Sequence, residues 1–129
     1  VPAQAVWEVV RTGDQFDRWV PAITSCRLEG QGVGAKRVCV INQQPLRESI
    51  ETVDDASRLF QYRILEQTMM PVRNVLGTIH VSGTGPSETE VLWFVNFELD
   101  DEAAWSAVRE GIEGIYRAGI EGLEAHVRG

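Results

Sequence analysis

The stretch Trp93-Phe94-Val95-Asn96-Phe97-Glu98-Leu99-Asp100-Asp101-Glu102-Ala103-Ala104-Trp105-Ser106-Ala107-Val108 changes its period halfway along. Up to Leu99 the pattern is that of a strand. From Glu102 to Val127 apolar residues recur at the spacing of a helix. Asp100 and Asp101, at the junction, are good N-caps for that helix. Trp105, Val108, Ile112, Ile115, Tyr116, Gly119, Ile120, Leu123 and Val127 fall on one face in steps of three and four. Glu110, Glu113, Arg117, Glu121 and Glu124 fall on or near the other. Gly111, Gly114, Gly119 and Gly122 each cost the helix about 1 kcal/mol relative to alanine. They leave two readings open: close helix–sheet packing, or room for a ligand under the helix.

Upstream, Thr24 to Leu99 reads as strands separated by turn signals at 30–32, 42–45, 54–57, 68–71 and 83–86. The expected strands are 24–29, 34–41, 46–53, 58–66, 73–82 and 88–98. Their short connections favour an antiparallel meander. At the start, Pro2 suits a first helical turn, Val6, Trp7, Val9 and Val10 form an apolar stripe, and Gly13 is a plausible stop. Gln15 to Trp19 reads as a second short helix, ended through Pro21. One helix laid across a large curved sheet seldom fills the hollow behind it. The pattern therefore predicts an α+β fold with an internal apolar cavity, where small-molecule function would sit.

Composition narrows the classes. The 129 residues are 43% hydrophobic and 24% charged, ordinary for one globular domain with a real core. A net charge of -7 repels phosphate backbones, so nucleic acid is not an expected partner. No apolar run is long enough for a membrane span, and no charged-then-apolar leader occurs in the sequence. The expected location is cytoplasmic. Cys26 and Cys39 match no zinc spacing; the expectation is two buried, reduced thiols, with a cross-strand disulfide as the alternative. His80 and His126 look peripheral, no Ser-His-Asp or Cys-His set is suggested, and neither metal nor cofactor is expected.

Several segments, in order, carry a resemblance. Val1-Pro2-Ala3-Gln4-Ala5-Val6-Trp7, Ile23-Thr24-Ser25-Cys26-Arg27-Leu28-Glu29-Gly30 and Gly32-Val33-Gly34-Ala35-Lys36-Arg37 are the first. Arg47-Glu48-Ser49-Ile50-Glu51, Asp54-Asp55, Phe60-Gln61-Tyr62-Arg63-Ile64, Pro71-Val72-Arg73-Asn74 and Tyr116-Arg117-Ala118-Gly119-Ile120-Glu121-Gly122-Leu123 follow. Together they resemble the START-like (SRPBCC, helix-grip) superfamily, and within it the polyketide cyclase/dehydrase-like proteins. The resemblance implies a curved antiparallel sheet wrapped around a long C-terminal helix, with two short N-terminal helices, as a single ligand-binding domain over 1–129. It also implies a first edge strand before Val1. Where abscisic acid receptors of this superfamily carry Asn-Tyr, the chain has Asn74-Val75, and Trp93 stands where they carry an acidic residue. That hormone is therefore not implied.

If Glu48 points inward, as its counterpart in the family does, strand alternation places the rest. Arg37, Cys39 and Ile41 then face the hollow, as do Leu46 and Ile50, then Phe60, Tyr62 and Ile64. Val75, Gly77 and Ile79 follow, then Val91, Trp93, Val95 and Phe97. Ile112, Tyr116 and Gly119 would close it from the helix. The expected ligand contacts are Arg37, Cys39, Ile41, Glu48, Tyr62, Val75, Gly77, Trp93, Val95, Ile112, Tyr116 and Gly119. A lone carboxylate on such a wall is costly unless paired or protonated. Paired with Arg37, Glu48 is either a polar anchor for a ligand or a fixed salt bridge. Unpaired, it is a candidate general acid or base, with Arg37 or Tyr62 steadying an enolate oxygen. Met69 and Met70 fall in a loop that covers the pocket mouth in relatives, and Asn42 to Leu46 matches a second gating loop, stiffened by Pro45.

Three functions compete. The first is binding of a small hydrophobic or polycyclic/aromatic ligand, lipid included. The second is a cofactor-independent cyclase or dehydratase using Glu48 as acid or base. The third is a partner-binding module or homodimer, using exposed Leu92, Phe94, Met69 or Met70. A fold alone does not choose among them.

Overall fold

The computed structural model describes residues 1–129. Helix α1 spans Ala3–Val10 and a single 3-10 turn spans Phe16–Arg18. Six strands follow: β1 Ile23–Glu29, β2 Lys36–Ile41, β3 Gln44–Asp54, β4 Leu59–Glu66, β5 Val72–Gly85 and β6 Glu88–Leu99. A 3-10 turn at Glu102–Ala104 then leads into α2, Trp105–Arg128. The strands form one antiparallel sheet in sequence order, β1 to β6. Bulges at Leu65 in β4, at Glu51 in β3 and between Arg73 and Leu76 in β5 bend the sheet around α2. This is the helix-grip architecture, with the strand count and the long C-terminal helix that the sequence predicts.

Local chemistry explains the junctions. Asp101 caps the 3-10 turn that leads into α2, its side chain accepting the Ala103 N–H. Asp100 is drawn instead to Arg73, which it meets in an ion pair. The β2–β3 hairpin is tighter than the expected four-residue turn. Asn42 and Gln43 both take positive φ, at 50° and 65°, and make a two-residue connection. Pro45 lies inside β3 opposite Val40, and Leu46 is a buried strand residue, so 42–46 is no gating loop. The second N-terminal helix shrinks to the 3-10 turn because Gln15 enters it in a left-handed conformation. The glycine-rich signal at 83–85 belongs to β5, and the chain reverses at Pro86 and Ser87.

The cysteines also depart from the expectation of free thiols. Cys26 and Cys39 face one another across β1 and β2 with Cα atoms 4.1 Å apart, and the structure joins them as a disulfide. The antiparallel register alone brings them together. Trp105, which the helical pattern places on the apolar face, is half-exposed and meets Phe97 at 6.2 Å between ring centroids. His80 is half-buried, with Nε2 against the Ser57 carbonyl.

The core lies at the N-terminal end of the concave face. Val6, Trp7 and Val10 of α1, Phe16, Trp19 and Val20 pack against Ile50, Phe60 and Ile79 of the sheet and Leu123 of α2. The Trp7 indole N–H and the Arg11 guanidinium both bind Asp55 in the β3–β4 turn, tying α1 to the sheet. No helix is long and apolar enough to cross a membrane. Leu92 and Phe94 point outward from β6 and are 51% and 41% exposed.

Candidate functional site

The same face is hollow toward its other end. A cavity of about 100 Å³ lies between the sheet, α2 and the loop before β5. Its wall follows from strand alternation. β2 contributes Arg37, Cys39 and Ile41, β3 contributes Leu46 and Glu48, and β4 contributes Tyr62 and Ile64. Val72 and Val75 come from β5, and Trp93, Val95 and Phe97 from β6. Helix α2 adds Ile112, Ile115 and Tyr116. Gln67, Met69 and Met70 close the mouth, while Phe16 and Ile23 close the inner end.

Ten of the twelve expected contact residues thus lie in one wall. Gly77 and Gly119 do not, and the reason is close packing. A Cβ on Gly77 would fall 2.1 Å from Tyr62 Cζ, so that glycine makes room for the tyrosine ring. A Cβ on Gly119 would come within 2.8 Å of Trp93 Cζ3. Gly122 is tighter still, with the Trp19 carbonyl oxygen 1.9 Å from the position a Cβ would take. Gly119 and Gly122 let α2 settle onto Trp93 and Trp19, Gly77 admits the Tyr62 ring, and none of the three opens space for a ligand. Phe16, Ile23 and Gln67 had no signal in the sequence. Phe16 and Ile23 arrive from segments with no periodicity toward the hollow, and Gln67 looks like any polar loop residue.

A row of polar groups crosses the wall where packed core gives way to cavity. Arg37 and Glu48 are directly opposite on β2 and β3 and are only 2% and 4% exposed. Arg37 Nε donates to Glu48 Oε1 at 2.9 Å and Nη1 donates to the Gly13 carbonyl at 2.9 Å. The guanidinium also lies over the Phe16 ring, 4.3 Å from its centroid, so its flat faces are satisfied by aromatic carbon. Glu48 accepts Arg37 through Oε1, no protein donor reaches Oε2, and the residue lines the cavity. Burial pushes the Glu48 carboxyl above its ordinary range, and the charge and hydrogen bond of Arg37 offset part of that rise.

Next along the row, the Trp93 indole N–H donates to the Tyr62 hydroxyl at 3.1 Å, and the Tyr62 and Tyr116 hydroxyls are 2.9 Å apart. Trp93 and Tyr116 stack with centroids 3.9 Å apart. Burial, then the charge of Glu48, holds Tyr62 up at about 12. Burial and the Tyr62 contact raise Tyr116 well above its usual value. Both phenols are therefore neutral. An indole can only donate, so between the two hydroxyls one proton remains for a further acceptor. The wall thus offers one carboxylate acceptor and one phenol donor in an otherwise apolar chamber. No group of three His, Cys, Asp or Glu side chains comes together to hold a metal ion.

Comparison with known proteins agrees with this architecture. Among curated proteins, none matches the chain. An uncharacterised protein from Bacillus thuringiensis superposes with a TM-score of 0.83 at 27% identity, over 99% of this chain and 92% of its own. Protein XoxI from Bacillus cereus gives 0.83 at 26% identity, over 98% and 87%. Norcoclaurine synthase from Thalictrum flavum, in complex with dopamine and hydroxybenzaldehyde, gives 0.75 at 20% identity, over 98% and 80%, and shares the fold. Residues 1–128 match the model of the family described as polyketide cyclase / dehydrase and lipid transport. With the sheet, the gripping helix and that match over nearly its full length, the chain belongs to the polyketide cyclase/dehydrase and lipid-transport family.

Proposed function

We propose that the chain binds a small, uncharged, largely apolar molecule in the cavity, with one polar group of the ligand turned toward Glu48, Tyr62 and Tyr116. The carrying observation is a mostly apolar chamber in which Arg37, Glu48, Tyr62 and Tyr116 line one wall and Gln67 is engaged with its own loop. The ion pair there is internally neutral, which favours a neutral guest over a charged one. Drug-sized ligands occupy roughly 300–1,000 Å³, whereas an engineered cavity of about 150 Å³ accepts benzene. A space of about 100 Å³ suits a single ring and is too small for a long lipid or a polycycle unless the mouth yields. The neighbour holding dopamine and hydroxybenzaldehyde also takes single-ring molecules, which makes phenol the first probe. Phenol at a hundredfold over its Kd stabilises the fold by about 2.7 kcal/mol, read as a rise in melting temperature. If no neutral single-ring compound shifts the melting temperature, the reading fails.

A second reading, a cofactor-independent cyclase or dehydratase, is favoured by one observation. Glu48 is a buried carboxyl with a raised pKa and one oxygen without a protein donor, on a cavity wall that also carries the Tyr62–Tyr116 phenols. Those are the parts of acid–base chemistry at an enolisable carbonyl. Glu48→Gln separates the two readings. Binding without turnover identifies a catalyst, and unchanged turnover on any substrate found removes Glu48 from the mechanism.

A further inference from the structure

Met69 and Met70 line the cavity at its mouth, in a loop with no regular secondary structure of its own. One side chain organises that loop. The Gln67 Oε1 accepts the N–H groups of Met69 and Met70 at 2.9 and 3.0 Å. Its Nε2 donates to the carbonyls of Met70 and Val72 at 2.8 and 3.3 Å. Two N–H groups face one end of the amide and two carbonyls face the other, so only one orientation satisfies all four contacts. The loop is thus folded around a single amide. Met70 then reaches across to α2, where it sits 3.2 Å from the position a Cβ on Gly111 would take.

Resting on the cavity reading above, we infer that Gln67 is a positioning residue that holds Met69 and Met70 as a cap and thereby sets the upper size of the ligand. The cap is made of unbranched, adaptable side chains, but their backbone is fixed by the amide. A larger guest has to displace Met70 from its seat against Gly111, and the four Gln67 hydrogen bonds oppose that movement. The chamber is therefore selective for size because of a residue that need not touch the ligand's polar group at all. Gln67→Glu keeps the acceptor for the two amides and loses both donors. Gln67→Ala loses both halves. Met70→Ala removes the cap and leaves the latch.

The test uses the full chain and the neutral series phenol, 2-naphthol and 9-phenanthrol, together with amide hydrogen exchange. In Gln67→Ala, protection of the Met69 and Met70 amides is expected to fall by about tenfold or more, with the strands unchanged. The preference for phenol over 9-phenanthrol is expected to shrink by about tenfold, the scale on which one methylene is discriminated in an apolar pocket. Gln67→Glu keeps the amide protection in part, and Met70→Ala shrinks the preference with protection retained. Unchanged protection in Gln67→Ala overturns the latch. Lost protection with an unchanged preference in both Gln67→Ala and Met70→Ala overturns its control of ligand size. A native chain that binds none of the three compounds defeats the cavity reading instead, and with it the size selection, while the exchange result still decides the latch.

Discussion

The two ends of the concave face are built from the same strands by the same alternation, yet one is solid and the other hollow. Along β3 the inward residues are Leu46, Glu48 and Ile50; along β4 they are Ile64, Tyr62 and Phe60. In each strand the first member lines the cavity, the second belongs to the polar row and the third lies in packed core. The sheet does not make the difference. Helix α1 and the segment from Phe16 to Val20 bring six large apolar side chains to one end, and nothing equivalent reaches the other. The cavity is thus the part of the space between sheet and α2 that α1 and the segment after it leave unfilled. The Arg37–Glu48 pair and the linked tyrosines mark the border, where a polar group has both a fixed partner behind it and open space ahead.

The largest expected effect lies on that border. Arg37→Met leaves the Glu48 carboxyl buried without its partner and removes the bond to the Gly13 carbonyl, at a cost of about 3–5 kcal/mol. Arg37→Met combined with Glu48→Leu removes both charges and recovers most of the loss, because two desolvated ions are replaced by apolar volume. Urea unfolding of the three proteins decides this. A double variant as unstable as the single one shows that the pair also stabilises the border between the two ends.

A smaller effect changes sign between the ends. Val20 is fully buried against α2, whereas Val95 lines the cavity. Val20→Leu adds one methylene where no space exists and is expected to destabilise by about 1–3 kcal/mol. Val95→Leu adds the same methylene to a void and is expected to stabilise by about 0.5–2 kcal/mol while weakening phenol binding. Equal effects at both positions mean that the hollow collapses in solution.

Strand parity was legible because alternation has a period of two and the family resemblance supplied one inward residue, Glu48, which orients every neighbour once the hairpins are short. The closing helix was legible because its period differs from that of the strands and Asp101 marks its start. The interior contacts of the glycines were not. Whether Gly119 meets a ligand or Trp93 depends on the distance between α2 and β6, which no local pattern encodes. The cysteines depended on register. A one-residue slip of β1 against β2 would have turned Cys26 and Cys39 to opposite faces. Gln67 was invisible for a third reason. Its role comes from four backbone groups of its own loop converging on one rotamer, and its residue type alone says only that it is polar.

The smallest prediction sets the two ends against each other through pH. Burial keeps the Glu48 carboxyl weaker as an acid in the folded chain than in the unfolded one. The native state therefore holds that proton to higher pH. The stability tied to it is fully present below the ordinary carboxylate pKa and is lost as pH rises through the folded value. Asp55, which fastens α1 at the packed end, is shifted the other way, held below its ordinary range by hydrogen bonds from Arg11 and Trp7. Its contribution is present above the ordinary value and is lost as pH falls through the folded one. Urea unfolding between roughly pH 3 and pH 8 compares native protein with Glu48→Gln and Asp55→Asn. As pH falls, native protein should gain on Glu48→Gln and lose its advantage over Asp55→Asn. Two differences that move in the same direction contradict the assignment, because a carboxyl at the border and a carboxyl at the clasp would then share one environment.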